Sequence, residues 1–135
     1  MLTRADIVSM GLPGKLAIHF LHYPTLVSVI IPEKSLKKAV SYLPEHLESL
    51  LVRQGFSKLL PEYQINTEPE IFSTNNKSML GYLKEMKFTI EYHLKDLRPI
   101  PEIENIEFDN IFGGKLVGNR KVWPRMILGE MGEGR

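Results

Sequence analysis

Apolar positions along the chain change period from one stretch to the next. Thr25 to Ile31, Thr-Leu-Val-Ser-Val-Ile-Ile, is β-branched and almost wholly apolar. That pattern predicts a strand covered on both faces. Lys15 to Tyr23 predicts a second strand just before it, with Pro24 opening the later one, where its missing N–H costs little. Pro32 removes a backbone donor and ends the pairing.

A helical period follows. Ser35 to Tyr42 reads as a short helix or turn, and a longer helix, 44–58, starts at Pro44, which suits a first helical position. Leu43, Leu47, Leu50 and Leu51 make one stripe. Gly55 suits the left-handed position past a helix end, which lets Phe56 fold back on Leu51. Residues 59–67 read as a loop and Glu70 to Ser73 as a short strand. The best-patterned helix is 78–97. Met79, Leu83, Met86, Ile90, Leu94 and Leu97 repeat at steps of three and four, with Ser78 as N-cap and Arg98-Pro99 as stop.

Ile106 to Phe112 and Lys115 to Trp123 read as a hairpin about Gly113-Gly114. Met126-Ile127-Leu128 is expected to dock back on the body, and the glycine-bearing stretch 129–135 to fray. The elements predict one α+β domain over residues 1–135. In it a small, mainly antiparallel sheet packs against the two main helices.

Composition narrows the classes. The chain has 135 residues, no cysteine and a formal charge of +1. Zero cysteines excludes a disulfide scaffold, a thiol nucleophile and Cys-bearing metal sites, and fits a reducing cytoplasm. Near-neutrality makes nucleic acid an unfavoured partner, because phosphate contacts need a cationic excess. Charge is uneven, with ten acidic against five basic groups in residues 61–114. The start lacks the apolar core of a signal peptide. The most apolar stretch, Leu16 to Ile31, carries His19, His22 and Pro24 and is too short and polar for a bilayer. No membrane partner is expected.

Candidate chemistry is sparse. His19 and His22 stand three apart on a predicted strand and point to opposite faces, while His46 and His93 lie on different helices, so no metal site is expected. His93 falls near the apolar stripe and reads as a partly buried, hydrogen-bonded core histidine. Glu102, Glu104 and Glu107 could gather round a cation but match no calcium geometry. Neither a nucleophile elbow nor a phosphate-binding P-loop is present, and no cofactor is expected.

Two constellations remain. Thr74, Asn75, Asn76, Lys77 and Ser78 precede the long helix, whose start offers unpaired N–H groups and partial positive charge to a small anionic ligand. The competing reading is a capping loop whose asparagines satisfy their own backbone. On the back of the same helix Gly81, Phe88 and Tyr92 point within roughly 20° of a common direction. Two aromatics opposite the core stripe need a second partner: another element of the fold, such as the C-terminal hairpin, another subunit, or a ligand.

The segment from Phe72 to Gly81, with Glu91-Tyr92 after it, resembles a family of small uncharacterised bacterial proteins. Their pattern is Thr-Asn-Asn-Arg-Ser-x-Leu-Gly before a helix ending in an aromatic Glu-Tyr run. His22 to Val29 resembles the family's short turn and hydrophobic strand, so the likeness covers residues 16 to 97. Lys77 stands where the family has arginine, and Lys84-Glu85 where it has a small polar pair. The family's longer N-terminus implies that a first strand is missing or replaced. The resemblance supplies no reaction. It implies carriage on mobile elements such as integron gene cassettes.

The leading expectation is a non-enzymatic cytoplasmic module that self-associates, first as a dimer, and binds a small anionic ligand or a partner protein. The alternative is an enzyme acting on a phosphorylated or nucleotide-like small molecule. A third reading is RNA binding through Lys115, Arg120, Lys121, Trp123 and Arg125.

Overall fold

The structure is a computed structural model and describes residues 7–12, 17–22, 25–63, 77–109, 116–117, 120–121 and 123–133. Its centre is an antiparallel meander of β1 (Ile7–Leu12), β2 (Ala17–His22) and β3 (Val27–Ile31), in that spatial order. Ile18 pairs with Gly11 on one side and Ile31 on the other. The fold is α+β, as the sequence predicts.

Helices cover both faces of the sheet, which is why every residue of β2 and β3 is buried. On one face Ile18, Phe20, Val27, Val29 and Ile31 pack with Ala39, Leu43, Leu47, Leu50 and Leu51 of α1 (Leu36–Gln54). On the other, Ala17, Leu21, Leu26 and Ile30 pack with Leu83, Met86, Ile90 and Leu94 of α2 (Lys77–Lys95). Alternation along each strand sends neighbouring side chains to the two cores. His19 and His22 therefore lie on opposite faces, as expected.

α1 is one helix rather than a short turn plus 44–58. Pro44 sits inside it. A proline there removes a backbone bond and costs about 3 kcal/mol, but Ala39 and Leu43 before it share a core with Leu47, Leu50 and Leu51 after it. Burial of both halves along one stripe holds the helix together. Ser35 caps its start, accepting from the Lys38 N–H. Gly55, at φ 84°, ends it, and the Phe56 N–H bonds the Leu51 carbonyl at 2.8 Å. A 3-10 segment, Ser57–Tyr63, follows where a loop was expected.

α3 (Ile100–Phe108) takes residues 106–108 of the expected first hairpin arm, of which residues 110–112 lie outside the described residues. Its start carries Pro99, Pro101 and Glu102, residues that suit a helical first turn. Ile103 joins the α2-side core and Phe108 the α1-side core. The observed hairpin is smaller and later, β4 (Leu116–Val117) against β5 (Arg120–Lys121). α4 (Pro124–Glu133) continues where the glycines predict fraying. Leu128 docks into the α1-side core and Met126 and Ile127 against the other, as expected.

Two non-glycine residues adopt left-handed backbone. Leu26, φ 61°, lies just before β3, with its side chain fully buried. Leu97, φ 59°, is the left-handed residue after α2. Its N–H bonds the Leu94 carbonyl and the Arg98 N–H bonds that of His93. Leu97 is 83% exposed and does not belong to the core stripe that the spacing suggested. The helix ends first, and the chain turns that side chain outward.

Candidate functional site

The buried polar groups come first, because they cost the fold most. His19 lies within the α2-side core, with Nε2 2.8 Å from the Ser28 hydroxyl, which in turn donates to Met86 Sδ at 3.9 Å. Burial pushes His19 down to about 3, so the ring is neutral. On the α1 side His22 Nδ1 meets Thr25 Oγ1 at 2.7 Å, Thr25 meets the Tyr63 hydroxyl at 3.2 Å, and the His22 and Tyr63 rings pack edge to face. Burial raises Tyr63 to about 12, outweighing the bond to Thr25. The adjoining recess, lined by Phe20, Val29, Leu43, Leu47, His22 and Tyr63, is water-sized and too small for a substrate. The His22–Thr25–Tyr63 network ties the chain just before β3 to the end of the 3-10 segment, and the His19–Ser28–Met86 network ties β2 and β3 to α2.

The three glutamates of α3 do not converge. Glu102 pairs with Arg98 at 2.8 Å. Glu104 is buried, accepting from the Ile30 N–H at 2.8 Å and from Arg53 at 3.0 Å. Ile30 is on an edge strand, so this carboxyl covers a ladder group that would otherwise face no partner. Burial raises the Glu104 pKa, against the opposing pull of Ile30 and Arg53. Glu107 is only 1% exposed, and neither of its oxygens has a hydrogen-bond partner among the described residues. Burial raises it to about 8. No group of three His, Asp or Glu among the described residues is placed to hold a metal.

His93 is half-buried with its ring edge against Tyr92, and its Nδ1 has no hydrogen-bond partner among the described residues, so the expected hydrogen-bonded core histidine is corrected at that atom. Of the residues named for RNA binding, Arg125 is committed internally. It bonds Asp109 at 2.6 Å, reaches Gln54, and lies over the Phe108 ring at 5.0 Å. It therefore clamps α4 to the ends of α1 and α3. Lys115 lies outside the described residues, as do the side chains of Arg120 and Lys121 on β5, and Trp123 directly precedes α4.

The turn of Thr74, Asn75 and Asn76 lies outside the described residues, as do the side chains of Lys77 and Ser78. α2 begins at Lys77, so Ser78 falls in its first turn rather than at the N-cap. The expected strand at 70–73 also lies outside them.

The outer face of α2 is described in full where the aromatics stand. Phe88 is 74% exposed and Tyr92 71% exposed, and Gly81 is exposed above them. The opposite stripe, Leu83, Met86, Ile90 and Leu94, is buried against the sheet. Among the described residues no element covers the aromatic pair. α2 packs against β1, the first strand of the meander. Only the aromatic spacing signalled this surface in the sequence. The buried carboxyls of α3 gave a weaker signal, three glutamates within six residues.

No described helix is long and apolar enough to cross a membrane. No curated protein and no solved structure matches the chain. A family profile for a domain of unknown function (DUF6933) matches residues 10–124, a span that takes in the end of β1, all of β2 and β3, both main helices and α3. The chain belongs to this family of domains of unknown function.

Proposed function

We propose that the protein is a non-enzymatic cytoplasmic module that self-associates through the outer face of α2 and binds a small anionic ligand or a partner protein at residues 74–78. The observation that carries the reading is the exposure of Phe88 and Tyr92 on successive turns of a helix whose other face is already spent on the core. A large apolar patch on water is a cost that a partner removes, and aromatic side chains supply most of the contact energy in interfaces. Two-fold dimers are the commonest way to cover such a patch. Residence in the cytoplasm is supported by the absence of cysteine. Carriage on a mobile element, such as an integron gene cassette in a bacterium, is supported by the Thr74-to-Gly81 motif alone.

Phe88→Asp is the direct test. The variant is expected to sediment as a monomer where the wild type is a dimer. Its stability should stay within about 0.5 kcal/mol, because an exposed position contributes little to the subunit's own core. A variant that simply unfolds would assign Phe88 to the core instead.

The anion end has its own test. Lys77 is the first residue of α2, where helix N–H groups and a full positive charge come together. Millimolar phosphate is expected to raise the melting temperature of the wild type by mass action. Lys77→Ala should shrink that rise, and equal rises in both proteins would remove the anion site.

A further inference from the structure

We infer that the occupant of the α2 face is a second copy of this chain, packed parallel and in register about a two-fold axis that runs along the helix. The inference rests on the self-association reading and adds the orientation and register of the two copies. Its observation is the charge on either side of the aromatics. At about 100° per residue, Lys84 and Lys95 fall on one shoulder of the Gly81, Phe88 and Tyr92 stripe, each roughly 40–60° from its centre. Glu85 and Asp96 fall on the other shoulder by the same angles. All four are exposed.

Orientation decides what these shoulders meet. In a parallel pair the two-fold axis carries each basic shoulder across to the acidic shoulder of the other copy at the same height. Glu85 then faces Lys84 of the other copy and Lys95 faces its Asp96, each contact occurring twice by symmetry. In an antiparallel pair the axis is perpendicular to the helices and leaves each shoulder on its own side. Lys84 would then face Lys95, and Glu85 would face Asp96, of the other copy. Like charges brought together oppose association, whereas complementary ones set register and orientation. Asp96 already sees Arg98 of its own chain at 3.7 Å through Oδ2, an exposed contact of little weight. The nearby Lys87 and Glu91 pair with each other at 4.0 Å and lie further from the stripe centre.

The chain has no cysteine, so single-cysteine cross-linking reads the geometry cleanly. Gly81→Cys is tolerated by the subunit, since a Cβ there meets nothing within 4 Å. Tyr92→Cys marks a point about 16 Å further along the helix axis. A disulfide forms only when the Cα atoms come within about 7 Å. The parallel pair predicts covalent dimers from both variants under mild oxidation, because each position faces itself. Lys84→Glu with Lys95→Glu should in addition weaken dimerisation at least tenfold, by turning both shoulders acidic. Cross-linking at only one position, or at neither, in a protein that still sediments as a dimer would overturn the parallel arrangement while leaving self-association standing. A wild type that stays monomeric would overturn both.

Discussion

Glu107→Gln is expected to stabilise the protein at pH 8 by roughly 3–5 kcal/mol while changing little at pH 4. Glu107 is buried without a hydrogen-bond partner among the described residues, and burial raises its carboxyl from 4.5 to about 8. The folded state therefore keeps the proton that the unfolded chain releases from about pH 4.5 upward. Stability from this group is complete below pH 4.5 and falls as pH rises toward 8, by about 1.4 kcal/mol per pH unit. Glutamine is neutral throughout and removes that slope. Urea unfolding of both proteins across pH 4–8 checks the claim. Parallel pH profiles for wild type and variant would mean that Glu107 ionises freely in the folded state.

Glu104→Ala is expected to do the opposite and cost about 3 kcal/mol. One helical turn before Glu107, this carboxyl is buried but fully engaged, holding the Ile30 N–H on the edge of β3 and the Arg53 guanidinium on α1. Its removal orphans a buried backbone donor, worth about 1–3 kcal/mol, and leaves Arg53 without its counter-charge. Breaking one side of a buried pair costs about 3–5 kcal/mol in full burial. Arg53 is 29% exposed, so water recovers part of that. Glu104→Gln keeps an acceptor for Ile30 and is expected to cost only about 1 kcal/mol. Denaturation midpoints of the two variants separate these terms. Equal losses would show that charge, rather than the covered strand edge, carries the stabilisation.

These two carboxyls also mark where sequence reading runs out. The spacing of Glu102, Glu104 and Glu107 invites a shared cation, but the helix sends Glu102 to Arg98 in solvent and the other two into the interior. Which residues a helix buries is legible from its period only once the helix itself is recognised. Here Ile106 and Phe108, read as part of a strand, concealed it. The Pro99-Ile100-Pro101-Glu102 start was the available signal.

Elements with strong, uninterrupted periods were legible. The apolar run of β3 implied cover on both faces, and the Leu83–Leu94 stripe placed α2 against the sheet. Local rules failed where tertiary burial overrode them. Pro44 should break a helix and does not, because both halves of α1 bury the same stripe. β1, with Gly11 and a half-buried Ser9, carries too weak an alternation to announce an edge strand. Leu97 fits the α2 period, yet the helix has ended two residues earlier. The interface candidates were legible because Phe88 and Tyr92 repeat at four residues on the wrong side of a core helix.

Self-association through that face is tested most directly by sedimentation equilibrium of the wild-type chain from micromolar concentration to about 100 μM, the working range for a weak interface. A concentration-dependent rise to twice the 15.5 kDa chain mass is the expected result. A single species at 15.5 kDa across the whole range would contradict it.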